Sequence, residues 1–205
     1  MIKLLFEQGS DAWHLSRLGR VTGTRFAALM SKPSTKGYQD LIIEMAGEML
    51  SGEIEETYTN AIMERGTELE PIARKAYEDE FGEVEQVGFC VPDEDDEFYE
   101  WIGVSPDGLT DGCLEIKCPL RKTHMNYIAA DRLPAEYRWQ VQGQLFVTGL
   151  PFCDFVSFYP GLKLFVKRVY PDIEDHNAIE SRLRQAIKEV KEKIEVYNKY
   201  NYDEL

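Results

Sequence analysis
Cysteine is scarce and scattered: Cys90, Cys113, Cys118 and Cys153 are all 4 of the cysteines in 205 residues, and none forms a C-x-x-C pair. That spacing argues against a zinc site, offers no four-cysteine cluster for iron–sulfur chemistry, and in a chain this long does not suggest a disulfide framework. Reduced thiols in a cytoplasmic protein are the expectation. No apolar run approaches the roughly 18 residues of a membrane span. The start, MIKLLFEQGSDAW, has an apolar stretch too short for a secretory core and no small-residue cleavage site. Positive charge is also short. Lys and Arg number 23 against 37 Asp and Glu, a formal net charge of −14. A nucleic-acid binder usually shows a basic footprint. Such a function here would need bound metal ions for local positive charge, or basic residues gathered on one face. The acid is uneven, with blocks over residues 53–56 and 93–100 that read as solvated loops.

A hydrophobic content of 43% with 12% aromatics fits a globular protein. The length suits one domain with a sizeable core. Internal repeats, low-complexity tracts and linkers are absent, so residues 1–205 read as a single α/β domain. Ser10 or Asp11 can cap a short helix carrying Trp13 and Leu18, closed by Gly19. Thr22-Gly23-Thr24 then reads as a loop before a helix over 25–30. A hydroxyl and free N–H groups at a helix start favour anions, and Arg17, Arg20 and Arg25 lie nearby; surface arginines beside an ordinary cap are the plainer alternative. Residues 38–50 predict a helix with Leu41, Ile42, Met45 and Met49 on one stripe and Gly52 behind it. Residues 59–81 predict one helix broken near Gly66, or two, with Pro71 in the first turn of the second. Glu70 sits beside the apolar stripe, four residues from a partner in Arg74.

Residues 84–91 and 98–104 predict strands that lead into the stretch 105–119, SPDGLTDGCLEIKCP, as an antiparallel meander. Helices are expected over 123–130 and 134–148, strands over 153–158 and 164–170, and a last amphipathic helix over 174–200. Within 105–119, Ser105-Pro106-Asp107-Gly108 is turn chemistry. In the strand that follows, Leu114 and Ile116 face one way and Glu115 and Lys117 the other. A carboxylate and an ammonium on so apolar a strand cost free energy unless paired or used. A hairpin would bring Asp107 to Glu115. Two carboxylates can hold a hard divalent cation, and a lysine beside them can orient a water or offset phosphate charge. The same spacing also fits an ordinary hairpin with a solvated Glu–Lys pair. Gln140 and Gln144 form an i,i+4 pair on the 134–148 helix, fit for orienting a water or for a plain polar flank.

Asp107 followed by Glu115-Ile116-Lys117 resembles the PD-(D/E)XK nuclease superfamily. EQGSDAWHLSRLGRVTGTR, RGTELEPIARKAYE, GVSPDGL, LEIKCP, WQVQGQL and CDFVSFYP, in that order, resemble the lambda-exonuclease and YqaJ-type viral recombinase family over roughly residues 7–160. The resemblance implies a restriction-endonuclease-like core, a central mixed sheet flanked by helices. It implies a Mg²⁺-dependent 5′-to-3′ exonuclease acting on linear duplex DNA in phage-type recombination, with Mn²⁺ expected to substitute. Asp107, Glu115, the Ile116 main-chain oxygen and Glu70 would be metal ligands. Lys117 would position and activate water, and Gln140 would support the site, with Gln142 and Gln144 a turn away or less. Arg17 and Thr24 would hold the DNA 5′-phosphate, Thr24 standing where the family usually shows serine, and Trp13 would lie near the DNA end. A single-strand annealing protein and a homotrimeric ring are the implied partners, in the cytoplasm of a bacterial host. Two rivals stand beside this: an endonuclease of the same superfamily, and an inactive module that binds DNA ends or a recombination partner.

Overall fold
The computed structural model describes residues 1–54 and 61–200. Part of the acidic block at 53–56 and the expected helix start at Thr59 lie outside them. Strands and helices run in the order β1 (Ile2–Leu4), α1 (Asp11–Arg17), β2 (Val21–Thr22), α2 (Arg25–Leu29), α3 (Lys36–Ser51), α4 (Ala61–Phe81), β3 (Phe89–Val91), β4 (Ile102–Gly103), β5 (Gly108–Leu109), β6 (Cys113–Lys117), α5 (Arg121–Ala130), α6 (Arg138–Thr148), β7 (Cys153–Ser157), β8 (Phe165–Val169) and α7 (Ile173–Lys199). A 3₁₀ turn at Ala135–Tyr137 leads into α6.

The central sheet has the order β5-β6-β7-β8 and is mixed: β6 and β7 are parallel, while the outer pairs are antiparallel. The parallel step requires a crossover, supplied by α5 and α6. Being covered on both faces, β7 is buried throughout. One face packs Leu114, Ile116 and Val156 against Ala73 and Tyr77 of α4. The other joins Cys113, Cys153 and Phe155 to Val141 and Leu145 of α6, and through them to α2, α3 and α7. Gly143 lets Phe26 lie directly on α6; a Cβ there would meet the ring at 2.6 Å.

Three expectations change. The 59–81 segment is not broken at Gly66 or restarted at Pro71: α4 runs through both. An interior proline costs about 3 kcal/mol, and burial of Ala73 and Tyr77 against the sheet outweighs it. The meander is also reduced. Residues 84–88 make only a bridge from Glu85 to Leu109, and β3 meets Val104 through the single Cys90 bridge. Asp96 accepts the Phe98 N–H at 2.7 Å and turns the chain, so only Ile102–Gly103 remain extended. These then pair in parallel with β2, which the sequence presented as a loop. β1, unforeseen, pairs with β3.

Asp154 anchors the α4 face. It is 1% exposed, receives two bonds from Arg168 at 2.9 and 2.8 Å, and accepts the Tyr77 hydroxyl at 2.7 Å. Asp154→Ala would leave the buried Tyr77 hydroxyl unpaired while Arg168, 45% exposed, turns to water, and a loss of about 1–3 kcal/mol is expected in urea unfolding. A loss under about 1 kcal/mol would show that the network adds little.

Candidate active site
The hairpin of β5 and β6 brings the predicted catalytic residues together. Ile116 donates its N–H to Asp107 Oδ2 at 2.5 Å. Lys117 pairs with Glu115 Oε1 on the same face of β6. Glu115 is 1% exposed, so its charge depends on partners. Gln140 Nε2 donates to Oε1 at 2.6 Å and Gln144 Nε2 to Oε2 at 2.5 Å. The Gln144 amide is oriented in turn by the Cys153 thiol, 3.4 Å from its Oε1. Both glutamines therefore serve Glu115. Gln142 does not: it bonds Tyr170 O at 3.0 Å and receives Asp172 N at 3.0 Å.

The electrostatics are those of an anionic centre short of positive charge. Asp107 is pushed well above the usual carboxylate range, by burial first, then by Glu115, with Glu70 adding to it and Lys117 opposing. Lys117 is buried too, which would lower it, yet Glu115 and Asp107 together hold it above its ordinary value. Paired with Glu115, the ammonium is placed as a hydrogen-bond donor in the metal-free chain. Glu70 bonds Arg74 at 2.5 Å, and Arg74 Nε donates to the Asp107 main-chain oxygen at 2.9 Å. The i,i+4 partnership and closeness to the acidic centre thus hold at once.

Among the described residues, no three His, Cys, Asp or Glu side chains gather as a ready ligand set. The donors that fit a hard cation are the Asp107 and Glu115 carboxylates and the Ile116 carbonyl. Leu114 O takes the Asp107 N–H at 3.0 Å, so the β5 backbone leaves the regular ladder before Ile116, whose N–H bonds the Asp107 carboxylate instead. A cation is also what the crowded carboxylates call for electrostatically.

A second cluster lies one turn upstream in the 105–108 segment. Ser10 caps α1, accepting the Trp13 N–H at 3.3 Å, and α1 projects Trp13 and Arg17 onto Ser105. Trp13 Nε1 donates to Ser105 Oγ at 2.8 Å, Arg17 reaches the same oxygen at 3.5 Å, and the Arg17 guanidinium lies 4.0 Å from the Trp13 ring centre. Arg17 is lowered to about 10, by burial first and then by neighbouring Arg25. It has no carboxylate partner among the described residues. The other two arginines are spent: Arg25 pairs with Glu48, and Arg20 holds the Tyr99 and Ile102 carbonyls. Thr24 is exposed at the start of α2 and makes no side-chain cap bond. No hydrogen bond joins it to Arg17.

Residues 12–151 match the YqaJ-like viral recombinase domain. The chain belongs to that family. An alkaline exonuclease, LHK-Exo, from Laribacter hongkongensis is 35% identical, with a TM-score of 0.82 over 92% of this chain and 96% of that one. Its complex with dAMP matches with the same values. A phage-related exonuclease from Haemophilus somnus 129PT, 17% identical, has a TM-score of 0.62 over 87% and 96% and shows the fold alone. No curated protein gives a significant match. The YqaJ-family fold here is of the PD-(D/E)XK type, and the central mixed sheet with flanking helices is as expected.

Within this YqaJ-family site, Ser105 and Cys153 make contacts that motif reading passed over, and Arg74, read only as a helix partner of Glu70, also holds the Asp107 main-chain oxygen. For Gln144 a signal was present: residues 140 and 144 share a helix face, while 142 points away. Gln140→Ala and Gln144→Ala should each lower nuclease activity about 10–100-fold, the usual effect of losing an orienting partner. Gln142→Ala should leave turnover intact and lower only stability. Equal activity in all three variants would refute the assignment.

Proposed function
We propose that the chain is a divalent-metal-dependent 5′-to-3′ exonuclease that degrades one strand of linear duplex DNA for phage-type recombination by strand annealing. The convergence of Asp107, Glu115 and Lys117 at one end of β6 is the observation that supports this most. A cleft of about 550 Å³, lined in part by Glu70, Arg74 and Asp107, opens beside it. LHK-Exo, 35% identical over nearly the whole chain, is named an alkaline exonuclease. The cluster of Trp13, Arg17 and Ser105 favours an end-dependent enzyme over an endonuclease, because only the former needs a pocket for a terminal phosphate.

Asp107, Glu115 and the Ile116 carbonyl would hold the ion, and Glu70 would join them only by leaving Arg74, which it bonds at 2.5 Å. Mg²⁺ is the expected ion and Mn²⁺ a substitute. Such an ion, when bound, would supply Lewis-acid chemistry to the scissile phosphate and to the attacking water. The chain's own groups do the rest. Gln140 and Gln144 fix both oxygens of Glu115. Lys117 offers a charged N–H donor to the attacking water or to a phosphate oxygen as negative charge develops. Arg17, Thr24 and the Ser105 hydroxyl would receive the 5′-phosphate, and Trp13 would lie at the end of the duplex. A homotrimeric ring and a single-strand annealing partner belong to the same proposal. The net charge of −14 suits an exterior that repels DNA around a confined channel.

Digestion of linear duplex DNA in Mg²⁺, with 5′-phosphate or 5′-hydroxyl ends and against a closed circle, tests it. Faster loss of the phosphorylated ends, an intact circle and arrest by EDTA are expected. A cut circle would favour an endonuclease, and DNA binding without turnover an inactive module.

A further inference from the structure
The segment 8–17 grips the chain just ahead of Asp107 at three places. Trp13 Nε1 and Arg17 both donate to Ser105 Oγ. Gln8 Nε2 donates to Pro106 O at 3.1 Å and to Val87 O at 2.9 Å. From Ser105 onward the path to the catalytic carboxylate is stiff. Pro106 has a fixed φ. Asp107 is tied at its N–H to Leu114 O at 3.0 Å, at its carbonyl to Arg74, and at its carboxylate to the Ile116 N–H. A shift at Ser105 therefore passes to Asp107 with few soft torsions to absorb it.

Ser105 is also placed to sense an anion. A serine hydroxyl has two lone pairs and one hydrogen. Trp13 takes one lone pair and Arg17 approaches the other, and among the described residues no hydrogen bond runs from the hydroxyl to a protein acceptor, which leaves its hydrogen to donate to a phosphate. The Arg17 contact, at 3.5 Å, is long for a hydrogen bond. An anion held by both groups would draw them together, with the indole N–H as the fixed point.

The geometry points to Trp13 as a positioning residue that couples the terminal phosphate to Asp107 through Ser105-Pro106, so that the phosphate raises turnover and not affinity alone. This rests on the end pocket proposed above. Trp13 touches neither carboxylate; it acts by anchoring Ser105 through its N–H. Gln8 restrains the same turn from the other side and keeps Pro106 from following solvent fluctuations.

The test compares kcat and KM on linear duplex with 5′-phosphate and 5′-hydroxyl ends, for the wild-type chain, for Trp13→Phe, and for a chain in which Trp13 is replaced by 3-benzothienylalanine. The last keeps a bicyclic ring and lacks the N–H, so it covers the case in which Trp13→Phe unfolds. The ratio of the two kcat values should fall about 5-fold or more in both variants, within the range of ordinary site-to-site coupling. A merely structural tryptophan would lower both kcat values by the same factor and leave the ratio intact, overturning the coupling. A change confined to KM would overturn it as well. If the wild-type chain itself does not distinguish the two ends, the end pocket falls and the coupling with it. A wild-type preference that survives in both variants removes the coupling alone.

Discussion

Asp107→Asn is expected to raise the melting temperature of the metal-free protein while lowering hydrolysis of linear duplex DNA by about 10²–10³-fold or more, the scale of losing one preorganised electrostatic group. Asparagine keeps a side-chain oxygen to accept the Ile116 N–H that Asp107 takes at 2.5 Å. The change therefore removes charge with little change of shape. That charge is held against its surroundings: burial, Glu115 and Glu70 all push the Asp107 carboxyl upward, and Lys117 only partly offsets them. In a chain of this length about 1 kcal/mol moves the midpoint by about 2–4 °C, so even modest relief is readable.

The pH dependence has a definite sign. Asp107 has a folded pKa above its unfolded value of about 3.9. Between the two the folded state binds more protons than the unfolded state, so stability falls as pH rises across that window and levels off above the raised value. Asp107→Asn should flatten this part of the curve. Saturating Mn²⁺ should restore wild-type stability at high pH and do less for the variant, since a ligand is gone. Melting curves in EDTA and in Mn²⁺ from about pH 4 to 9 decide it. Superimposable profiles for the two proteins would mean that Asp107 is not under electrostatic strain.

The helices and the long sheet strands were legible because burial leaves a period. Leu41, Ile42 and Met45 repeat on α3 and are buried, whereas Met49 of the same expected stripe is 40% exposed; β6 alternates in the faces its side chains take, with both faces buried. The catalytic hairpin was legible for a different reason: two charges on an apolar strand beside a Pro-Asp-Gly turn are costly without a use. Short strands left no such mark. β2 and β4 are two residues each, and their pairing is set by tertiary contact. Pro71 misled because local cost was weighed without the sheet that α4 covers. In the proposed end pocket, spacing put three arginines on offer, but which one lacks a carboxylate or carbonyl partner depends on the Tyr99 and Ile102 carbonyls and on Glu48. That residue lies more than twenty positions away and claims Arg25 and the Gly19 N–H, the latter at 2.9 Å. Ser105 and Cys153 act only through residues brought near by folding, so no local pattern announces them.

Lys117→Met should separate the lysine's structural and chemical roles when compared with Lys117→Arg. Glu115 is 1% exposed, and among the described residues its ammonium partner is the only cation bonded to it. Methionine fills a similar volume but leaves the carboxylate with two amide donors, Gln140 and Gln144. Breaking a buried pair in this way costs about 3–5 kcal/mol. The Lys117 pKa is raised, so this stabilisation is complete below the unfolded value of about 10.4 and is lost only as pH climbs through the folded value. The Lys117 titration therefore does not narrow the gap between wild type and Lys117→Met in the neutral range, and the gap should widen with pH there because Asp107, which Lys117 holds down, must ionise without it. Lys117→Arg keeps the charge and should recover much of the stability in urea. It should not recover turnover, because a planar fork cannot take the place of a compact ammonium beside the scissile phosphate. Hydrolysis is expected to fall about 10²–10³-fold in both variants, while Mn²⁺ binding tightens in Lys117→Met as the competing cation leaves the carboxylates. If Lys117→Arg restored stability and turnover together, charge alone would be sufficient at this position, and the oriented donation to water or phosphate would have to be given up.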